Sequence, residues 1–539
     1  MSQRHRPHAD LDRSRTPGLS RRALLTATAV GVPTAAALAT AAPALADPSV
    51  TDGQTRIVEV PLAEAPLVEV DGARVRELAE QPATMIGVTW PEGTDAPAVS
   101  ARGRAEDGSW TEWTELEVAE DPESGTSAAA TEVAWLGVVS ALQIRAELDG
   151  GDVSADLTAH VVTTSPLDSD DQVRQLTGPS ATRTQSQQMS ARAAVPAANP
   201  ATPALGPGAP AFVTRAAWRA DESLVRGTSA KNALKAVVLH HTAGTNNYSS
   251  SQSAQIVRGI LTYHTTTLGW ADLGYNVLVD KYGQIFEGRS GGLHRNITGA
   301  HSLGFNSGSF GISVMGNYSS TSLPSAARTA VARLVAWKLL STFQTSVGGD
   351  VSWQVTTSGT RHTVGSTVSL PRMMGHRDVN FTECPGARIY SQFGNIRSEA
   401  QRYLDSGGKE HLWAFQGAGG AATLGTVVRS NHRTGKYSAT ILTKGLVLQE
   451  SGAASGYATP FAPQWSSSWG RPAASAPKDG DRQIQPFQHG TAALESGKVR
   501  FVAPTFRDVP PWRVFLVEIE DLFAAGVTQG WEGGSNRTF

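Results

Sequence analysis

Apolar and polar residues alternate along the first part of the chain. Short apolar stretches such as TMIGVTW (84–90) and LQIRAEL (142–148) follow a period of two, and turn sequences separate them. This pattern predicts an antiparallel β-domain of the sandwich type over 47–165. Trp110 and Trp113 are expected to pack in its core, with a role in a binding face as the alternative.

The spacing changes in the middle of the chain. KAVVLHH (235–241) is a short apolar run that ends in two histidines, which is typical of a buried strand with polar groups at its carboxyl end. Further on, apolar residues three and four apart predict helices, and two apolar runs about a glycine turn predict a hairpin. Strands mixed with helices predict one α/β domain over 211–405. The predicted elements are helices over 253–264 and 324–343, a hairpin over 275–289 and a strand over 309–317.

Three further segments lie outside these two domains. Residues 166–210 are rich in Ser, Thr and Gln and then in Ala and Pro, which is typical of a disordered linker. Over 411–500 glycines recur with a period of 45 residues, and KGLVLQESG (444–452) returns as HGTAALESG (489–497). We therefore predict two copies of a small module. The last segment, 506–539, contains a stretch with the pattern of an amphipathic helix.

The N-terminus has the organisation of an export signal. Arg21 and Arg22 precede a weakly apolar, Ala-rich stretch, and the sequence ALA at 44–46 supplies the small residues of a cleavage site. The arginine pair indicates a twin-arginine signal peptide over 1–46, with a basic tail or an uncleaved anchor as alternatives. No other stretch has the ~18 to 20 apolar residues that cross a bilayer. We expect a secreted or wall-associated protein with no stable membrane insertion after cleavage.

The charge of the chain argues against nucleic acid as a partner. In 539 residues, 46 Lys and Arg and 48 Asp and Glu give a formal net charge of −2. The isoelectric point is near 6.7. Such a balance provides no positive field that would bind a polyanion.

Cys384, in the stretch GHRDVNFTECPG, is the only cysteine of the chain. A lone thiol forms no intrachain disulfide, so it is a buried apolar residue, a nucleophile with His376 as its base, or a metal ligand. His376 lies eight residues earlier, and His240 and His241 end the predicted strand. Two imidazoles and one thiolate leave a tetrahedral zinc ion one open position, as in catalytic zinc sites. The spacing alone leaves these alternatives open.

Five segments of the chain occur in this order: RAAW (215–218), VVLHHTAG (237–244), YHTTTLGWADLGYNVLVDKYGQIFEGR (263–289), GAHSLGFNSGSFGISVMGNY (299–318) and MGHRDVNFTECPG (374–386). Together they resemble the peptidoglycan recognition protein family, which shares its fold with the phage lysozyme-type N-acetylmuramoyl-L-alanine amidases. The resemblance implies a mixed β-sheet flanked by helices, with a zinc ion held by His240, His376 and Cys384. The catalytic tyrosine of the family falls on Tyr275. Thr382 stands where the phage enzymes have lysine and many recognition proteins have threonine, which implies a hydrogen bond to a developing oxyanion.

Other residues of these segments are expected to have supporting roles. His241 points to the opposite side of its strand from the preceding histidine, and we expect it to be structural. His264 and His301 lie in matched segments, where they line the substrate groove or are structural. Arg289 and Asn306 are expected on the solvated surface, with contacts to a peptide carboxylate or a sugar as the alternative.

The resemblance implies a secreted zinc-dependent N-acetylmuramoyl-L-alanine amidase. Its substrate would be peptidoglycan, cleaved at the amide between the lactyl group of N-acetylmuramic acid and L-alanine, with zinc and Tyr275 stabilising the oxyanion. The alternative is a non-catalytic peptidoglycan-binding protein of the same fold, and such members typically lack the zinc cysteine. The repeats over 411–500 resemble wall-associated repeats, and 506–531 resembles the start of a surface-layer-homology motif. The region from about 410 to 539 is therefore expected to localise the protein to the wall, with packing against the α/β domain as the alternative.

Overall fold

The computed structural model describes most of the chain from residue 53 onward. The predicted signal peptide, most of the predicted linker and, apart from Val517, the predicted last segment lie outside the described residues. None of the helices in the described part of the chain is long and apolar enough to cross a membrane. The described residues are 53–121, 126–171, 173, 208–229, 233–473, 478–479, 482–504 and 517.

The first domain encloses an apolar core between two antiparallel sheets. Its strands are β1 (Thr55–Pro61), β2 (Leu67–Val70), β3 (Ala73–Leu78), β4 (Ala83–Thr89), β5 (Ala98–Gly103), β6 (Thr114–Leu116), β7 (Val118–Asp121), β8 (Thr126–Thr131), β9 (Ala134–Val139), β10 (Leu142–Leu148), β11 (Gly151–Asp152) and β12 (Thr158–Thr164). One sheet has the order β1-β12-β4-β8-β7 with β9 also on β4, and the other β2-β3-β10-β5-β6 with β11 on β10. Ile86 and Val88 of the first sheet share a buried cluster with Val99 and Ile144 of the second. The predicted antiparallel β-domain is confirmed.

Trp110 and Trp113 differ from expectation, because they lie outside this core. Both are half-buried. The guanidinium of Arg102 lies 5.3 Å from the ring centroid of Trp110 and 4.6 Å from that of Trp113. The guanidinium of Arg145 also lies over Trp113, 4.5 Å from its ring centroid. The two indoles are therefore held by cation–π contacts with arginines of β5 and β10 rather than by apolar packing.

The second domain is built on a mixed five-stranded sheet. Its elements are β13 (Ala236–His241), α1 (Gln252–Thr266), β14 (Val277–Val279), β15 (Ile285–Glu287), β16 (Ser309–Val314), α2 (Ser325–Ser341), β17 (Asp350–Gln354), β18 (Thr367–Pro371), β19 (Met373–Gly375), α3 (Ala387–Tyr390) and α4 (Phe393–Ser406). The order is β15-β14-β16-β13-β19, parallel except for the β14–β15 hairpin, and β17 pairs with β18 separately. Helices α2 and α4 share one buried cluster with the sheet, and α1 belongs to another. The expected mixed sheet flanked by helices is confirmed.

Helix α1 joins the two domains through a single apolar cluster. This cluster contains Met85 and Val162 of the first domain, Ile256 and Ile260 of α1, and Leu278 of the mixed sheet. Side chains of both domains therefore cover helix α1. Packing on this helix removes apolar surface of both domains from water.

Glycines allow the close approach that this packing needs. A Cβ atom at Gly87 of β4 would overlap the ring of Tyr263, and one at Gly259 of α1 would overlap the sulfur of Met85. The hydroxyl of Tyr263 donates to the backbone oxygen of Thr131 at 2.9 Å. Helix and sheet thus contact each other with no room for a further methyl group.

A buried ion pair fixes the same interface. The guanidinium of Arg258 in α1 donates two hydrogen bonds to the carboxylate of Asp170, at 2.9 and 2.7 Å. Only 4% of each side chain is exposed. Arg258 also donates to the backbone oxygen of Trp218 at 3.1 Å. Since both charges are desolvated, each depends on the other for compensation.

The C-terminal region contains two antiparallel sheets of four strands. Its elements are α5 (Glu410–Gly417), α6 (Gly420–Leu424), β20 (Val427–Thr434), β21 (Tyr437–Leu442), β22 (Gly445–Gln449), β23 (Ala454–Ala458), β24 (Lys478–Asp479), β25 (Arg482–Phe487), β26 (Gly490–Glu495) and β27 (Lys498–Val502). Gly445 begins β22 and Gly490 begins β26, which is the 45-residue period of the sequence. The rings of Phe343 and Phe415 stack at 4.0 Å, so this region packs on the second domain. Wall binding by the repeats stays a prediction.

We expect the variant Arg258→Met to lower the free energy of unfolding by about 3–5 kcal/mol, because it leaves the buried carboxylate of Asp170 without a partner. Urea denaturation followed by tryptophan fluorescence measures this. Arg328→Met is the matched control, since the Arg328 side chain is 34% exposed in its ion pair with Glu399. The control should change stability by less than about 1 kcal/mol. Equal losses in the two variants would contradict the assigned role of Arg258.

Candidate metal centre

The last two residues of β13 carry two histidines into different surroundings. β13 lies between the parallel strands β16 and β19, so the carboxyl ends of the three strands are side by side. The Nδ1 atom of His240 lies 3.7 Å from the sulfur of Cys384. His241 points elsewhere: its Nε2 lies 2.7 Å from Glu117, and its Nδ1 accepts from the backbone amide of Tyr318 at 3.2 Å. The alternation along the strand accounts for this division.

A short loop after β19 brings His376 close to Cys384. The backbone amide of Gly375 donates to the carboxylate of Asp378 at 2.8 Å, which holds the turn that begins at His376. The amide of Arg377 donates to the backbone oxygen of Cys384 at 3.0 Å and closes the loop. Residues eight apart in sequence therefore become neighbours in space.

Three predicted metal ligands converge in the structure. One donor atom from each of His240, His376 and Cys384 lies within 4.8 Å of the others. In a tetrahedral zinc site, bond lengths of about 2.3 Å to sulfur and 2.0–2.1 Å to nitrogen place those two atoms roughly 3.5 Å apart. The 3.7 Å between His240 Nδ1 and Cys384 Sγ agrees with this spacing. The donor set, two imidazoles and one thiol, therefore fits zinc.

The protonation of His240 and Cys384 is compatible with a bound cation. Burial lowers the pKa of His240 far below its usual value, and neighbouring histidines lower it further, so this imidazole is neutral. Burial and the carboxylate of Glu117 raise the pKa of the Cys384 thiol well above its usual value. A neutral buried thiol is a poor nucleophile, whereas a bound cation deprotonates it. The metal-ligand hypothesis therefore fits these surroundings better than the nucleophile hypothesis.

A cavity of about 550 Å³ opens beside the three ligands. This volume is within the range of small-ligand pockets. Its second-domain wall includes Trp270, Tyr275, His301, Arg361 and Thr382. Both predicted catalytic residues thus line the same cavity as two of the predicted metal ligands, His376 and Cys384.

Tyr275 and Thr382 occupy different positions relative to the ligands. The Tyr275 ring centroid lies 5.3 Å from that of His240. Burial and nearby carboxylates raise the pKa of Tyr275 well above its usual value, so its hydroxyl keeps its proton and can donate it in a hydrogen bond. The hydroxyl oxygen of Thr382 accepts from the backbone amide of Cys384 at 3.1 Å. Thr382 therefore also shapes the loop that carries the thiol.

Three further residues of the matched segments, Arg289, His301 and Asn306, are buried. His301 Nδ1 lies 3.0 Å from His240 Nε2, and burial lowers the pKa of His301 to about 3. The Asn306 side chain accepts from the amides of His301 and Ser302, and Arg289 donates to the backbone oxygen of Leu273. The expectation of a solvated surface for Arg289 and Asn306 is wrong, because loop backbone surrounds and binds both side chains.

The first domain contributes residues that sequence reasoning missed. Glu117, Glu120 and Glu132 line the opposite wall of the cavity. They belong to the β7–β8 hairpin and its two flanking residues, 117–132, which we call the acidic hairpin. Glu117 also forms a donor group with His241 and Cys384. The alternating glutamates in TELEVAED could have predicted a strand with an acidic face. Alternation alone does not show which part of the protein that face contacts.

Comparison with known proteins follows the same division of the chain. The family model for N-acetylmuramoyl-L-alanine amidase matches residues 230–387. Peptidoglycan-recognition protein SC2 of Drosophila melanogaster is 36% identical over 183 residues, which are 34% of this chain and 83% of that protein. The chain belongs to the peptidoglycan recognition protein family. A second model, described as Rv3811 N-terminal galactose-binding domain-like, matches residues 47–193.

Further similar proteins include recognition proteins and an amidase. Peptidoglycan recognition protein 1 of Mus musculus is 30% identical over 179 residues, 33% of this chain and 84% of that protein. The solved structure of N-acetylmuramoyl-L-alanine amidase LysC from Clostridium intestinale is 22% identical. The match covers 35% of this chain and 97% of the LysC chain, with a TM-score of 0.26. Because the amidase family model matches residues 230–387, we call residues 211–405 the amidase-type domain.

We expect Cys384 to react slowly with iodoacetamide in the folded, chelator-treated protein, because it is 2% exposed and its thiol pKa is raised. At pH 8 the rate should be at least about tenfold lower than in urea-unfolded protein, since only the thiolate reacts. The chain has no other cysteine, so the labelled mass reports this residue alone. Equal rates in the folded and unfolded protein would show that the thiol is accessible and ionised.

Proposed function

We propose that this protein is a secreted zinc-dependent N-acetylmuramoyl-L-alanine amidase acting on peptidoglycan. It would hydrolyse the amide bond between the lactyl group of N-acetylmuramic acid and the L-alanine of the stem peptide. Membership in the peptidoglycan recognition protein family supports peptidoglycan as the partner. Solved recognition proteins include a complex of PGRP-LE with tracheal cytotoxin, a monomeric diaminopimelic acid-type peptidoglycan.

One observation carries the proposal of catalysis rather than binding alone. His240, His376 and Cys384 converge at one end of a cavity that Tyr275 also lines. Three protein ligands leave a tetrahedral zinc ion one position for a reactant, which is the arrangement of catalytic rather than structural zinc. A protein that only bound peptidoglycan would have no need of this donor set.

The residues of the cavity have separate tasks in such a reaction. Zinc, when bound by the three ligands, would supply a Lewis acid that activates water and polarises a carbonyl. Tyr275 would donate a hydrogen bond to the oxygen of the amide carbonyl as negative charge develops on it. His301 would orient His240 through their ring nitrogens, which are 3.0 Å apart. Thr382 would hold the Cys384 amide, and its own proton remains available to the substrate.

Two measurements on the purified full chain test this function together. Zinc content is determined by mass spectrometry, and the release of L-alanyl amino termini from purified cell wall is determined by amine labelling. An amidase gives about one zinc per chain and free L-alanyl termini. Binding to wall without release of these termini would favour a non-catalytic peptidoglycan-binding protein.

We expect Cys384→Ala and Tyr275→Phe to fail in different ways. Cys384→Ala should fold but lose both zinc and activity, because two imidazoles alone hold the ion weakly. Tyr275→Phe should keep zinc and lose about 10²–10³-fold in kcat, since only a hydrogen bond to the developing oxyanion is removed. His489→Ala is the control, because this exposed histidine of the C-terminal region is outside both the ligand group and the cavity lining. Full activity in Tyr275→Phe would refute its catalytic role.

Export is a separate part of the proposal. The pair Arg21 and Arg22 supports the twin-arginine route. We expect replacement of both by lysine to retain the precursor inside the cell, as measured by fractionation and immunoblotting. Normal export of the double variant would instead indicate the general secretory route, with no consequence for the chemistry of the site.

A further inference from the structure

Three glutamates of the acidic hairpin each contact a different histidine of the amidase-type domain. Glu117 lies 2.7 Å from His241 Nε2. Glu132 lies 3.0 Å from His264 Nε2. The third pair, Glu120 with His376 Nε2 at 3.1 Å, involves a predicted metal ligand. Carboxylates of one domain therefore face imidazoles of the other around the cavity.

The other ring nitrogen defines the tautomer in two of these pairs. His241 Nδ1 accepts from the amide of Tyr318, and His264 Nδ1 accepts from the amide of Gly274 at 3.0 Å. A nitrogen that accepts carries no proton, so Nε2 of each neutral ring carries it and donates to its glutamate. His376 Nε2 lies 3.1 Å from Glu120. A neutral His376 that donates from Nε2 to this carboxylate leaves Nδ1 for a metal.

Local geometry holds Glu120 in position for this contact. Its Oε2 atom, which contacts His376, also accepts from the backbone amide of Leu303 at 2.8 Å. The pairing of β7 with β8 is irregular between Val118 and Glu120. Such bulges redirect side chains, and here residues three apart, Glu117 and Glu120, reach the same domain. Both contacts of this carboxylate, with the Leu303 amide and with the His376 ring, come from the amidase-type domain.

The chain that follows the hairpin is held to the second domain by apolar packing and a hydrogen bond. Val133 and Trp135, which follow it in the chain, belong to the apolar cluster around helix α1. The amide of Thr245 donates to the backbone oxygen of Trp135 at 2.7 Å. The cavity of about 550 Å³ remains between the acidic hairpin and Tyr275. The first domain therefore borders the site without filling it.

We propose that Glu120 is a positioning residue for His376, so that the metal centre is built by both domains. This inference rests on the proposed function. A carboxylate that accepts from the outer N–H of a ligating histidine fixes the tautomer and ring orientation and makes the ligand more basic. Glu120 has this relation to His376, whereas the amidase-type domain alone supplies His240 with a histidine partner, His301.

The test compares zinc affinity of full-length variants by competition with a chromogenic chelator. Glu120→Gln keeps the size of the side chain and removes its charge, and Glu120→Ala removes the acceptor as well. We expect zinc affinity to fall by about 10–100-fold, with the alanine variant weaker than the glutamine variant, because the His376 ring is no longer oriented. Glu115→Gln is the matched control, since Glu115 lines the same cavity and is exposed. Its zinc affinity should equal that of the wild type.

A second readout separates positioning from general loss of structure. In cobalt-substituted protein, the absorption bands of the metal should shift in both Glu120 variants, while circular dichroism and the urea midpoint stay close to wild type. Unchanged zinc affinity and unchanged cobalt bands would overturn the proposal. Increased turnover on cell wall with unchanged zinc affinity would also overturn it, and would show that the hairpin obstructs the site.

The wild-type measurements distinguish this inference from the proposed amidase activity. If wild-type protein binds zinc but releases no L-alanyl termini, the amidase proposal fails, and the Glu120 variants still test positioning through zinc affinity. If it cleaves wall and the Glu120 variants bind zinc normally, only the positioning role fails. If wild-type protein binds no zinc, both proposals are wrong.

Discussion

Burial of helix α1 between two β-sheets is the constraint on which the arrangement of the site depends. The helix cannot leave either sheet without exposing apolar side chains such as Ile256 and Ile260 to water. Gly87 and Gly259 remove the side chains that would hold the domains apart, and Arg258 adds a desolvated charge that needs Asp170. Because this contact fixes the first domain on the second, it also fixes the acidic hairpin against the cavity.

The pKa values of the histidines of the site are shifted in opposite directions, down for His240 and His301 and up for His376. His240 and His301 are neutral because burial and neighbouring imidazoles lower their pKa values. Burial opposes protonation of His376 as well, but Glu120 and the other hairpin carboxylates outweigh it and raise its pKa. A divalent cation placed among the ligands would lie close to carboxylates that are already desolvated. The acidic hairpin thus supplies negative charge where the ligands supply mostly neutral donors.

Periodicity predicted the elements well but not the partners of their side chains. LQIRAEL forms β10 with the predicted bounds. The helix expected over 253–264 is slightly longer and spans Gln252–Thr266. The family resemblance brought together His240, His376 and Cys384, which the structure places in one group. The glutamates were missed because they belong to another domain, and no local pattern shows which surfaces of two domains meet. Trp110 and Trp113 were misplaced because their apolar character predicts burial, whereas their contacts with Arg102 and Arg145 depend on which strands become neighbours in the sheet.

The family boundary at residues 230–387 and the physical boundary of the packed unit do not coincide. The amidase match begins after the acidic hairpin, and it divides the apolar cluster that Met85 and Ile260 share. A gene fusion made at the family boundary would carry all three metal ligands but leave an apolar helix face bare. Substitutions in the two domains are therefore coupled. Any larger residue at position 87 requires a smaller one at position 263, because a Cβ atom at Gly87 would overlap the Tyr263 ring. Divergence of either domain is limited by the shape of the other.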